Sequence, residues 1–146
     1  MGLIHIISDK KVYLDANIFI YAIEQVTPYR DVIGDLFEQI DAKNLLAYTS
    51  TLTLAEVLVK PFMDNNQALI DIYKNLLLDA NIINLAEINQ QILIQSAQYR
   101  SKFNLKLPDA IHLATSKQLA TDFFLTNDKA IKVDPPMKIL QLVDFS

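Results

Sequence analysis

The chain has 146 residues, 51% of them hydrophobic and 21% charged, with a net charge of −4. That length suits one domain spanning residues 1–146, able to bury roughly 70% of the surface its unfolded form exposes, and the composition excludes disorder. With no cysteine and only Gly2 and Gly34 as glycines, disulfides, thiolate metal sites, cysteine nucleophiles and glycine-rich phosphate loops are excluded.

The apolar run from Met1 to Ile7 is short, and Lys10 and Lys11 follow it. It is neither a secretory signal nor a membrane span, so a cytoplasmic protein with no membrane association is expected. Val12–Leu14 reads as a strand that stops at Asp15, with a helical stretch from Asn17 to Glu24. Thr27-Pro28 restarts a helix carrying Val32, Ile33, Leu36, Phe37 and Ile40 at helical spacing. Leu45–Thr49 reads as a buried strand and Thr51 to Lys60 as a helix stopped by Pro61. Asp64–Asp79 is amphipathic, Ile82–Leu85 a strand and Glu87–Phe103 a helix. Pro108 starts a helix reaching Leu119. Phe123–Thr126 is a strand, Asn127–Ile131 a turn or short helix, and Ile139–Val143 the last strand. Continuously apolar strands alternating with helices predict an α/β fold, a three-layer α/β/α sandwich around a central, mostly parallel sheet of about five strands.

Four carboxylates stand at strand ends or early helix positions: Asp15, Glu56, Asp109 and Asp128. Each has a structural reading. Asp15 can cap a helix, Thr53-x-x-Glu56 has the capping-box pattern, Asp109 complements a helix dipole, and Asn127-Asp128 suits a turn. Together they point further, because the carboxyl edge of an open α/β sheet is where ligands bind. Converging carboxylates repel, and hard divalent ions with oxygen ligands resolve the repulsion. Charge agrees: with these four set aside, the seventeen acids fall to the number of the thirteen bases.

The same residues carry a family resemblance. Leu14-Asp15-Ala16-Asn17-Ile18-Phe19 is similar to the opening motif of PIN domains. Thr53-Leu54-Ala55-Glu56-Val57-Leu58 resembles their second motif, Leu107-Pro108-Asp109-Ala110-Ile111-His112 their third, and Leu125-Thr126-Asn127-Asp128 their fourth. By pattern the chain resembles VapC-like toxins of toxin–antitoxin pairs. The resemblance implies an endoribonuclease that depends on Mg²⁺ or Mn²⁺, an antitoxin partner and a homodimer. It carries Asp15, Glu56, Asp109 and Asp128 over as catalytic metal ligands, with Asn17 and Thr126 as their polar supports. Lys129-Ala130-Ile131 departs from the pattern, since relatives often place a further acid there.

The stretch Tyr99-Arg100-Ser101-Lys102-Phe103-Asn104-Leu105-Lys106 mixes three cations with two aromatics, which suits RNA; the resemblance makes Arg100 the best substrate-binding candidate, since relatives often place an arginine there, and a solvated helix end is the plain alternative. His112 is expected to be structural, with contact to substrate or to a carboxylate outside the metal-ligand set as the alternative, and His5 is expected to be structural. A haloacid-dehalogenase-like phosphatase needs an acid where Asn17 stands, which disfavours it. The remaining alternative is a catalytically silent PIN-like module that binds RNA or protein.

Overall fold

The computed structural model describes residues 2–131 and 137–146; Met1, where the opening apolar run was read to begin, lies outside them. Lys11–Leu14 (β1), Leu46–Ser50 (β2), Asn84–Ala86 (β3), Phe123–Thr126 (β4) and Lys138–Gln141 (β5) form one sheet in the order β3-β2-β1-β4-β5. Every neighbouring pair is parallel, with Tyr13 opposite Tyr48 on one side and Phe124 on the other. The helices are Leu3–Ile7 (α1), Ala16–Glu24 (α2), Arg30–Asp41 (α3), Leu52–Met63 (α4), Gln67–Lys74 (α5), Gln90–Lys102 (α6) and Leu107–Gln118 (α7).

Successive side chains of a strand point to opposite faces, and β1 divides the core accordingly. Val12 and Leu14 pack with Ile18 and Phe19 of α2, Ile33 and Leu36 of α3 and Tyr73 of α5. Tyr13, between them, joins Leu105, Ala110 and Leu113 on the other face. Its ring stacks on Phe124 with centroids 5.1 Å apart. In β4 the same alternation sends Phe124 to one cluster and Leu125 to the other. Each fully buried aliphatic side chain of this kind contributes about 1.5–3 kcal/mol by leaving water. Both faces of the sheet are therefore covered, and the expected three-layer α/β/α architecture is the one adopted.

Several local expectations are corrected. Leu3–Ile7 is helical, and His5 is exposed on it rather than structural. α4 runs through Pro61 to Met63. Proline lacks one backbone N–H, and in the last turn that loss removes a single helical bond. The Asp64–Asp79 segment is divided. Asn65 takes a left-handed φ of 51°, Asn66 caps α5 by accepting from the Leu69 N–H at 3.1 Å, and the end, Asn75–Asp79, widens to a π-turn. Asn89 likewise caps α6 through the Ile92 N–H at 2.9 Å, which moves its start to Gln90. Both caps are what asparagine does best at a helix start. The third strand is Asn84–Ala86 rather than Ile82–Leu85, because Asn84 pairs with Tyr48 and its amide donates to the Ala47 carbonyl at 3.1 Å. The last strand ends at Gln141, and Leu142–Phe145 forms a 3₁₀ turn.

Candidate active site

The chain leaves β1 toward β2 and β3 on one side and later adds β4 and β5 on the other. The direction of winding thus reverses between β1 and β4, and a crevice opens outside the carboxyl ends of those two strands. Asp15 follows β1 directly and Asp128 follows β4. Asp109 lies in the first turn of α7 and Glu56 in the second turn of α4.

Asp15 is 5% exposed. Its Oδ1 accepts from the Ala16 N–H at 2.8 Å, so it does cap α2, and its Oδ2 accepts from the Thr126 hydroxyl at 2.6 Å. Burial pushes the Asp15 pKa up, against the pull of His112, Thr126 and the Ala16 N–H, and Glu56 adds to the rise. Thr126 serves two acids, since its hydroxyl oxygen also accepts from the Asp128 N–H at 3.0 Å. The Asp128 side chain closes a turn by accepting from the Ala130 N–H at 2.9 Å. The turn reading of that residue and a place beside Asp15 therefore coexist.

Asp109 reports on the whole group. Its pKa is pushed from 3.8 to about 6, first by burial, then by the charges of Asp15 and Asp128, with Glu56 adding to the rise and His112 opposing it. Asp15, Asp128 and Glu56 therefore all act on the Asp109 carboxyl.

The capping-box reading of Thr53 and Glu56 is corrected. Thr53 lies inside α4, where its hydroxyl pairs with that of Thr49 at 2.7 Å. Glu56 Oε1 instead meets His112 Nε2 at 2.5 Å. His112 is fully buried, lies 3.8 Å from Asp15 Oδ1, and bonds the Tyr13 hydroxyl through Nδ1 at 2.7 Å. The expectation that His112 is merely structural understates it, since it touches two of the four acids. Tyr13 escaped the sequence reading altogether. For His112 the available signal is its spacing from Asp109, which places both on one helix face. For Tyr13 it is strand alternation, which turns the side chain toward α7.

Asn17 Oδ1 is buried and has no hydrogen-bond partner among the described residues. Arg100 is exposed, and its Nε donates to the Leu105 carbonyl at 3.1 Å. That bond ties the end of α6 to the segment leading into α7.

Among the described residues, no group of three or more His, Asp and Glu side chains is already arranged to hold a metal ion. The donor set nevertheless suits a hard divalent cation. It consists of carboxylates, with the Asp109 pKa raised by burial and by its neighbours' charges, and of a buried amide oxygen two residues from Asp15, that of Asn17, with no hydrogen-bond partner among the described residues.

A model of the PIN domain family matches residues 12–133. No curated protein matches the chain by sequence. Among solved structures, the chain is similar to VapBC2 of Rickettsia felis bound to a DNA fragment from its promoter, at 17% identity and a TM-score of 0.68, covering 90% of this chain and 98% of that one. It is similar to a toxin–antitoxin complex from Klebsiella pneumoniae at 24% identity and a TM-score of 0.63, covering 86% and 94%. It is also similar to the Mycobacterium tuberculosis toxin VapC20, described as cleaving the sarcin–ricin loop, at 10% identity and a TM-score of 0.65, covering 77% and 86%.

Proposed function

This chain belongs to the PIN domain family, and we propose that it is an endoribonuclease dependent on Mg²⁺ or Mn²⁺, the toxin of a toxin–antitoxin pair acting in the cytoplasm. The observation that carries the reading is that Thr126 joins Asp15 to the Asp128 backbone and His112 joins Asp15 to Glu56, on the same helix that carries Asp109, at the switch point of a parallel sheet. Likeness to the toxin structures supports it. Among the described residues no helix is long and apolar enough to cross a membrane.

Asp15, Glu56, Asp109 and Asp128 would hold the cation, with the Asn17 amide oxygen beside them. When bound, Mg²⁺ or Mn²⁺ supplies Lewis acidity, lowering the pKa of water and offsetting charge on the leaving oxygen. The chain's own residues do the positioning. Thr126 holds Asp15 from one side and the Ala16 N–H holds it from the other, so the buried carboxylate has one orientation. Water adds to phosphorus, the bond to the 3′ oxygen breaks and that oxygen takes up a proton, leaving a 5′-phosphate and a 3′-hydroxyl. Arg100, exposed at the end of α6, contributes charge for the RNA backbone.

The chain self-associates as a homodimer and is silenced by an antitoxin. Val59, Phe62 and Met63 are 56%, 59% and 77% exposed on consecutive turns of α4, an apolar strip that a second copy would cover. Light scattering at micromolar concentration is expected to give twice the chain mass, and a monomeric mass overturns the dimer. For the activity, EDTA is expected to abolish cleavage of a labelled RNA and Mg²⁺ or Mn²⁺ to restore it. Asp15→Asn is expected to lose cleavage with its far-UV circular dichroism unchanged. Undiminished cleavage by Asp15→Asn refutes the assignment, and RNA bound but uncut with either metal points to a silent binding module.

A further inference from the structure

Tyr13 and His112 are both completely buried, and the hydrolysis described above makes no use of either. They join β1 to α7 across one face of the sheet, and the imidazole spans the distance from the Tyr13 hydroxyl to Glu56. A carboxylate accepts hydrogen bonds and cannot donate them, and a neutral imidazole has one donor nitrogen and one acceptor. The short contact to Glu56 Oε1 needs the proton on Nε2, and in the neutral ring that makes Nδ1 an acceptor. The group facing Nδ1 is a hydroxyl that can donate. Two threonines beside this network send their own protons elsewhere: Thr49 donates to the Leu14 carbonyl at 2.9 Å and Thr115 to the Ile111 carbonyl at 2.7 Å.

We propose that Tyr13 and His112 are positioning residues, in which the Tyr13 hydroxyl selects the Nε2–H tautomer of His112 and that N–H fixes the Glu56 carboxylate beside Asp15. The proposal rests on the nuclease reading for its purpose. Asp15 is held by Thr126 and a backbone N–H, whereas Glu56 reaches in from α4 on a longer side chain with 30% of its surface exposed. A fixed donor removes rotamer freedom that a cation would otherwise have to overcome. Groups that orient a ligating carboxylate in this way are worth about 10–100-fold in metal affinity.

The test has two readouts. His5 is exposed, and His5→Gln leaves His112 as the sole histidine. Long-range ¹H–¹⁵N spectra of that protein in EDTA are expected to show an unprotonated Nδ1 and a protonated Nε2. A protonated Nδ1 overturns the relay, whether or not Nε2 is protonated as well. In the same background, Tyr13→Phe keeps the ring stacked on Phe124 and removes the hydroxyl. It is expected to mix the tautomers and to weaken Mn²⁺ binding, followed by electron paramagnetic resonance, by about tenfold. His112→Leu is expected to weaken it at least as much. His112→Gln, whose amide can donate to Glu56, is expected to stay close to the wild-type value, which loss of packing alone would not produce. Unchanged tautomer and Mn²⁺ affinity in Tyr13→Phe overturn the proposal. Absence of Mn²⁺ binding by the wild-type chain overturns the metal-site reading itself, whereas a wrong tautomer with Mn²⁺ binding intact overturns the relay alone.

Discussion

Replacing Asp109 by asparagine should stabilise the metal-free protein at neutral pH. The carboxyl titrates near 3.8 when unfolded and at about 6 when folded, because burial and the charges of Asp15, Asp128 and Glu56 oppose ionisation. A rise of that size corresponds nominally to about 3 kcal/mol. Asp109 is only partly buried, and solvent screening reduces this to about 1.5 kcal/mol. Asparagine also gives up the favourable charge at the start of α7, worth about 0.3–1 kcal/mol. The net gain is about 1 kcal/mol, or a melting temperature higher by about 2–4 °C for a chain of this length. The sign follows from linkage. The folded state binds the proton more tightly, so the wild-type chain has its full share of stability below pH 3.8 and loses it as the pH rises through about 6. The advantage of the Asp109→Asn variant should therefore be absent at pH 3.5, grow through pH 6 and level off above pH 7. Urea denaturation in EDTA across that range measures it. Adding Mg²⁺ should narrow or reverse the difference, because binding to the native wild-type chain adds stability by mass action. A variant less stable than wild type at pH 7 in EDTA, or a gain independent of pH, would refute the reasoning.

Thr126→Val should cost about 1–3 kcal/mol in urea denaturation, since it strips a buried carboxylate of a 2.6 Å donor and the Asp128 N–H of its acceptor. Thr126→Ser, which keeps the hydroxyl, should recover most of that. Ala120 follows α7 with a left-handed φ of 53° and an exposed side chain. Ala120→Gly should raise stability by about 0.5–1 kcal/mol, because alanine is strained in that region and glycine is not; a lower melting temperature would contradict this.

The strands were the most legible part of the chain. β1 and β4 are recognisable within a residue because two-sided burial demands uninterrupted apolar residues, and the alternation of β and α segments leaves little but a parallel sheet. Helix ends were less legible. Asn66 and Asn89 are the caps, but each competes with other polar residues that could start a helix a few positions earlier. Pro61 reads as a stop, yet a proline in a final turn breaks too little to end the helix.

Of the proposed site, the placement of Asp15, Glu56, Asp109 and Asp128 was legible, because residues just after strands or early in the following helices of a parallel α/β chain lie along the carboxyl edge of the sheet. Partner choice belongs to the tertiary structure. Thr53-x-x-Glu56 has a good local bonding pattern, and the fold overrides it by bringing His112, 56 residues away, onto the carboxylate. Tyr13 meets His112 across 99 residues, and Thr126 meets Asp15 across 111. Sequence spacing encodes which face of a strand or helix a side chain occupies. Which other element covers that face is decided by strand order and register, and those arise only when the whole sheet assembles.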